Sequence, residues 1–403
     1  MNKYWKYFFF LLIATSCIEE FQIKDTKTYE GKQLVIQGRI ASGGQSIFYI
    51  SYSQPLGEEN SQEEIPDASV KIVGDNGFQS DLAIYEMEYG YYTIDTKELS
   101  SNSHYAVQVD LDGKTYQSDF LLLQETPEIE DLTYTESEEG VSLYLKSREN
   151  KNDSPYYMWS YEEDWEIHAP INLATVPGII YPFYNFSIYE RGSFTNGHNA
   201  YYYCWGHNTS THINLYSTEN LQKNKLNVEL FKIPLDDIRI SYIYSLQVKL
   251  YSLSNEAYKY YRTLKDYTEE SSGLFPIMPT EIKGNVTCIS HPSIKVQGYV
   301  LASNVKTKRI FIYESEFKHI HSEYESYCKW ENPDASNKEW LIYWDEMIRE
   351  KGAMAVTTNG DYSHFGNPDH WAESVLYHRE CIDCRAVDGA TKKRPDFWPN
   401  DHE

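Results

Sequence analysis

The densest run of chemically capable side chains is Tyr157-Met158-Trp159-Ser160-Tyr161-Glu162-Glu163-Asp164-Trp165-Glu166, where aromatic rings are interleaved with carboxylates. Rings of this kind stack on sugars or peptide side chains, and neighbouring carboxylates attract an organic cation or calcium. Trp159, Tyr161, Glu162, Glu163, Asp164 and Trp165 are therefore the first candidates for a binding surface. The same composition also serves an edge strand that its charges keep soluble. A second candidate surface runs from Tyr181 to Trp205, rich in Tyr, Phe, Gly and Asn, with Tyr201, Tyr202, Tyr203 and Trp205 as its aromatic members. Loops of that composition adapt to ligands and sit at the ends of sandwich folds.

Thiols come next. Besides Cys17 the chain has Cys204, Cys288, Cys328, Cys381 and Cys384. In an exported protein the default is disulfides, and an odd set leaves at least one thiol free or with an unrecognised partner. Cys381 and Cys384 closing on each other would contribute about 2 kcal/mol by loop entropy, whereas Cys204 tied to either would approach about 5 kcal/mol. Stability favours the long-range bridge. No thioredoxin-like βαβ pattern surrounds the Cys-x-x-Cys pair, and no second ligand pair stands at zinc-finger spacing. The histidines His207 and His212, His319 and His321, and His364 and His370 sit in no H-E-x-x-H helix, so they read as surface or locally bonded groups. There is no nucleophile elbow and no P-loop. The reading is of a protein that is not an enzyme and needs neither metal nor cofactor.

The elements that must position these residues are strands. Leu34 to Ile40 alternates apolar and polar side chains at period two, and similar runs follow at Ile47 to Tyr52, Ala68 to Val73, Tyr91 to Ile94, Tyr105 to Val109 and Lys114 to Phe120. Asp75-Asn76-Gly77 and Asp112-Gly113 supply hairpin turns. Short strands at this spacing predict a sandwich over 32–124. Pro127 within 124–131 marks a boundary, and strands resume at Val141 to Leu145, Tyr156 to Tyr161, Leu226 to Ile233 and Tyr242 to Leu250. Ile294 to Leu301 and Arg309 to Tyr313 read as closing strands of a second sandwich over 125–403. Two helices interrupt it. One lies near 254–267, capped by Ser254. The other lies near 337–351, with a Ser336/Glu339 capping box and the apolar stripe Trp340, Trp344, Met347 and Ile348.

Charge and the opening residues bound the setting. Lys plus Arg is 36 against Asp plus Glu 60, a net charge of −24, which excludes nucleic acid as an expected partner. Residues 1–16 carry Lys3 and Lys6 and then an apolar run from Tyr7 to Ala14, about half of what a bilayer core requires. This is a secretion signal. Ala14-Thr15-Ser16-Cys17 is similar to a bacterial lipobox, which implies cleavage before Cys17 and its acylation, with 17–31 as a polar tether. An acidic chain is repelled by anionic head groups, so the acyl chains must hold it at the membrane.

A resemblance adds to this reading. Leu34-Val35-Ile36-Gln37-Gly38-Arg39-Ile40, Cys204-Trp205, Tyr258, Phe275-Pro276, Pro279, Gly284-Asn285-Val286, His291-Pro292, Gly298-Tyr299 and Ala302-Ser303 resemble, in order, the signature of the Bacteroidota lipoprotein family known as domain of unknown function 4249. Cys381-Ile382-Asp383-Cys384, Gly389 and Arg394-Pro395-Asp396-Phe397-Trp398 resemble its ending. The resemblance implies two Ig-like or prealbumin-like β-sandwich domains on the outer membrane, in a family often encoded beside TonB-dependent, SusC-like transporters. Glu19-Glu20 after Cys17 is similar to a surface-export signal. The expectation is a surface-exposed accessory or binding subunit of such a transporter, with a glycan or peptide as ligand. The alternatives are an extracellular hydrolase and an adhesive or structural surface protein.

Overall fold

The structure is a computed structural model that describes residues 32–53, 63–151, 154–170, 202–270, 282–318, 378–381 and 383–399, and the backbone alone at 178–181, 187–190, 354–357 and 374–377. The expected signal, tether and Cys17 lie outside the described residues, as does the helix expected near 337–351.

The first sandwich begins with β1 (Leu34–Ile40) and β2 (Gly44–Tyr52), antiparallel with Leu34 opposite Tyr52 and Arg39 opposite Ile47. It continues through β3 (Ser69–Gly74), β4 (Tyr91–Thr96), β5 (His104–Leu111) and β6 (Lys114–Ser118). Asp112 and Gly113, both at positive φ, make the two-residue turn between β5 and β6 that the sequence announces. Strands β1, β2 and β4 lie in one sheet and β3, β5 and β6 in the other. Period-two alternation drives Ile36, Ile40, Phe48 and Ile50 inward against Val70, Ile72, Val107 and Val109, and these form one core.

The second sandwich uses β7 (Ile129–Ser137), β8 (Gly140–Ser147), β9 (Tyr156–His168), β10 (Tyr203–Thr209), β11 (Asn214–Ser217), β12 (Asn227–Ile233) and β13 (Ile243–Leu253). After α1 (Asn255–Glu270) come β14 (Val286–Cys288), β15 (Val296–Gln297), β16 (Val300–Ala302) and β17 (Val305–Tyr313). One sheet runs β7-β8-β12; the other runs β10-β9-β13-β17, with β11 also paired to β9. Leu143, Leu145, Tyr157, Trp159, Leu246, Val248 and Ile312 fill the space between them. Ser254 Oγ accepts from Ala257 N at 3.1 Å and caps α1 as its position suggests.

Three expectations are corrected. The stretch Ile294 to Leu301 does not close the second sandwich: β14 pairs with β6, and β15 and β16 run parallel to β1, so the first sandwich is completed by residues from far downstream. Alternation marks a strand but not its partner, and here Val296, Val300 and Ala302 find the first core. The run Arg309 to Tyr313 does lie in the second sandwich, as part of β17 beside β13. Two crossings between the sandwiches therefore lie side by side. Gln124 bridges Ser303 in parallel, and Thr126 Oγ1 donates to Asn304 O at 2.5 Å and accepts from Ser252 N at 2.9 Å. Second, the aromatic and acidic stretch is not on an edge strand. β9 is the longest described strand and pairs on both sides, with β13 and with β10 and β11. Third, the region Tyr181 to Trp205, expected as loop, includes part of a hairpin of Gly178–Tyr181 with Ser187–Glu190, joined in a four-stranded sheet by Met354–Thr357 and Ser374–Tyr377.

Candidate functional site

On β9 the side chains alternate between two environments. Tyr157, Trp159, Tyr161, Glu163 and Trp165 turn toward the second sandwich's interior, where Tyr161 packs on Phe231 with ring centroids 4.5 Å apart. Glu163 is 1% exposed, a position that costs several kcal/mol for a charge unless every lone pair is met. All of its neighbours are donors. Oε1 accepts from Arg239 Nη1 and from Tyr244 OH, both at 2.7 Å, and Oε2 accepts from Asn208 Nδ2 at 2.9 Å. Asp237 in turn holds Arg239, accepting from its backbone N at 2.9 Å, its Nε at 3.0 Å and its Nη2 at 2.7 Å. Burial alone would lower the Arg239 pKa, but the bond to Asp237 and the charges of Glu163 and Asp237 outweigh it and raise it. Burial, then the Glu163 charge, pushes the Tyr244 phenol well above its ordinary range.

Glu162, Asp164 and Glu166 turn to the opposite face of the sheet, where Asp164 and Glu166 are also buried, and all three are paired. Glu162 Oε1 meets Lys249 Nζ at 2.5 Å. Asp164 holds Arg309 Nη1 at 2.9 Å and His207 Nδ1 at 2.7 Å, and the same guanidinium donates to Ser245 Oγ at 2.7 Å. Glu166, fully buried, accepts from Trp398 Nε1 at 2.9 Å and bonds His168 Nε2. The chain's last described residues lie over this row. Phe397 stacks on the Arg309 guanidinium 3.5 Å from ring centroid, and Trp398 is buried with Trp205 and Ile243. Thr391 and Trp205 exchange backbone hydrogen bonds of 2.8 Å, and a disulfide joins Cys204 to Cys384 across 180 residues. Cys381 is disulfide-bonded as well, and Cys288 is a buried free thiol.

The structure thus brings most of the sequence candidates together, but as an interior. Trp159 and Trp205 are buried, and Trp165, Tyr202 and Tyr203 are half-buried. Tyr202 and Tyr203 meet edge to face at 4.6 Å, and His168 stacks on Tyr242. Tyr201 lies outside the described residues. No two carboxylates of the stretch converge on open space; each ties β9 to a neighbouring strand, a turn or the chain's end. His207 is locally bonded, while His319, His321, His364 and His370 fall outside the described residues, as does Cys328. Among the described residues no group of three or more His, Cys, Asp or Glu is arranged to hold a metal ion.

Two exposed features were missed. The first is an apolar edge on the first sandwich. Ile84–Glu86 ends its sheet, and Leu82, Ile84, Met87 and Tyr89 stand out from it, Met87 at 87% exposure. Tyr91 links this edge inward, stacked on Tyr89 at 5.6 Å and edge-on to Tyr49 at 5.5 Å. The Tyr85-Glu86-Met87-Glu88-Tyr89-Gly90-Tyr91 run has the same Tyr and Gly richness that drew attention to 181–205, and that signal could have found it. The second is a cleft of about 400 Å³ between the sandwiches, lined in part by Phe120, Leu122, Leu253, Ala257, Tyr299 and Leu301. Its residues come from four separated segments, so no local pattern could reveal it.

Comparison with known proteins adds a family. Residues 18–309 match the sequence model described as Domain of unknown function (DUF4249). The matched span takes in the first sandwich and the second as far as the middle of β17, and stops short of the Arg394 to Trp398 ending. Among solved structures, a two fibronectin type-III domain segment from chicken tenascin is similar at 8% identity, covering 55% of this chain and 91% of that one, with a TM-score of 0.16. No curated protein matches the chain.

Proposed function

This chain belongs to the DUF4249 family, and from that premise we propose that it is a surface-exposed outer-membrane lipoprotein, of the kind found in Bacteroidota, that serves as a non-catalytic accessory or binding subunit beside a TonB-dependent transporter. Anchorage rests on the signal pattern of residues 1–16 and the lipobox ending at Cys17. No described helix is long and apolar enough to cross a membrane. Acyl chains on Cys17 would supply what a spanning segment otherwise does, since two or more chains anchor stably where one does not.

The observation that carries the accessory reading is the apolar edge at Leu82, Ile84, Met87 and Tyr89. Large apolar side chains gathered on one sheet edge are costly in water and prone to pairing unless a partner covers them. The carboxylates Glu162, Glu163 and Asp164 of β9, the first candidates in the sequence, are by contrast committed to ion pairs and hydrogen bonds. The test is a pull-down of the tagged, lipidated protein from the native outer membranes of untreated cells in mild detergent, with protease applied separately to a second batch of intact cells. Recovery of a barrel protein with the wild type, its loss with Ile84→Glu/Met87→Glu, and cleavage by the external protease are expected. Recovery of the wild type alone overturns the partnership, and protection from protease overturns the exposed face.

A further inference from the structure

We infer that the cleft between the two sandwiches is a binding site for a small amphipathic cation, an ammonium or guanidinium group carried on an apolar body of a few side chains' size. The inference deepens the reading of the protein as a binding subunit by giving its ligand a chemistry, and it does not depend on which barrel is the partner.

Size and wall come first. About 400 Å³ is within the range of small-ligand clefts, roughly 300–1,000 Å³. Phe120 and Leu122, both exposed, and Leu253, Ala257 and Leu301, all buried, make a wall that favours an apolar body. The cleft has contributions from the end of β6 onward, from the start of α1 and from β16, so it exists only when both sandwiches are assembled.

Charge selects the head group. Asp119 and Glu256 line the cleft, and neither carboxylate has an ion pair or hydrogen bond among the described residues. Both act on the same place, the Tyr299 hydroxyl, which is hydrogen-bonded to Ser254 and which burial, Glu256 and Asp119 together keep protonated. Among the described residues no lysine or arginine lines the cleft, and the one described imidazole there, His104, is bonded to Asp75 at 2.9 Å. The positive end of α1 points here and would favour an anion. It is worth about half a charge and is opposed by two full carboxylates, one of them in the helix's own first turn. The balance favours a cation.

A third observation is independent of charge. Ser252 also lines the cleft, is fully buried, and its Oγ has no hydrogen-bond partner among the described residues. A buried hydroxyl left unmet costs about 1–3 kcal/mol, and a ligand that reaches it recovers part of that.

The experiment uses the folded mature protein, calorimetry, and two probes that differ only in charge: N-acetyl-Leu-Arg-Phe-amide and the same peptide with citrulline for arginine. The arginine peptide is expected to bind at least about tenfold more tightly than the citrulline peptide, the scale of one charge-assisted hydrogen bond. Asp119→Asn/Glu256→Gln should erase that preference while leaving the circular dichroism spectrum unchanged, since both side chains are exposed. Equal binding of the two peptides, undiminished preference in the double variant, or no binding of either overturns the inference. A barrel recovered in the membrane pull-down together with no peptide binding removes the ligand class alone; charge-selective binding with no barrel removes the partnership alone.

Discussion

Glu163 shows what a charge on a central strand demands. Three donors meet its two oxygens, and one of them, Arg239, is itself aligned by Asp237. The net worth of such a buried pair is small, but breaking it is not, because the remaining charge stays buried. Arg239→Ala should therefore destabilise the protein by about 3–5 kcal/mol in urea unfolding, far more than removing one partner of an exposed, solvent-screened pair such as Lys232 with Glu139. Tyr244 gives the same site a pH signature. Its folded-state pKa is raised, so its contribution is fully present below the unfolded tyrosine value of about 10 and is lost as pH climbs through the folded value. Tyr244→Phe should cost about 1–2 kcal/mol at neutral pH and flatten the alkaline loss of stability above pH of about 10, read from unfolding midpoints at successive pH values.

Among elements, the returning segment from β14 to β16 is the one on which the first sandwich depends. Asn285 holds it in shape: its Oδ1 accepts from Val300 N at 2.8 Å and its Nδ2 donates to Val300 O at 3.0 Å. Gly298 then passes β1 so closely that a Cβ would stand 2.1 Å from Ile36 O, and its φ is +102°. Gly298→Ala meets backbone rather than a movable side chain, so it should cost more than about 2 kcal/mol, measured as a lowered urea midpoint, with the cost falling on β1 and its partners in hydrogen exchange. This segment also shows where sequence reading stops. Short alternating runs located β1 to β6 and β8, β9, β12, β13 and β17, though not β7, β10, β11 or β14, and Ser254 with Ala257 and Leu253 placed α1, because these signals are local. Which sheet takes up β15 and β16 is decided by contacts with residues more than 250 positions away, and no local pattern encodes that. The burial of much of the candidate stretch was not legible in the sequence for a related reason. The Tyr157 to Glu166 composition was read as a surface because charges are seldom buried, and the donors that make burial tolerable, Arg239, Arg309 and Trp398, come from distant parts of the chain.

At the scale of the whole molecule, long-range closures decide what can fold alone. The Cys204–Cys384 disulfide closes a loop of 180 residues and pins the chain's end over β9 and β10. Loop entropy puts its contribution near about 5 kcal/mol, so Cys204→Ser/Cys384→Ser should lower the unfolding free energy by up to that amount and expose Trp398 to a fluorescence quencher. The first sandwich is closed differently, by strands rather than a covalent bond, and this makes the boundary near residue 124 a break in sequence but not in structure. A fragment of residues 32–124 would leave Ile36 and Ile40 on one sheet and Tyr116 on the other without Val296, Val300, Ala302, Val286 and Cys288, which complete the same core. It would also expose the free edges of β1 and β6. A domain this small is marginal even when its core is whole. The fragment should therefore give poorly dispersed amide resonances and aggregate. Adding residues 282–304, joined through a short flexible linker or supplied as a peptide, should restore dispersed β-sheet shifts. A well-folded 32–124 fragment would mean that the returning strands decorate the sandwich rather than complete it.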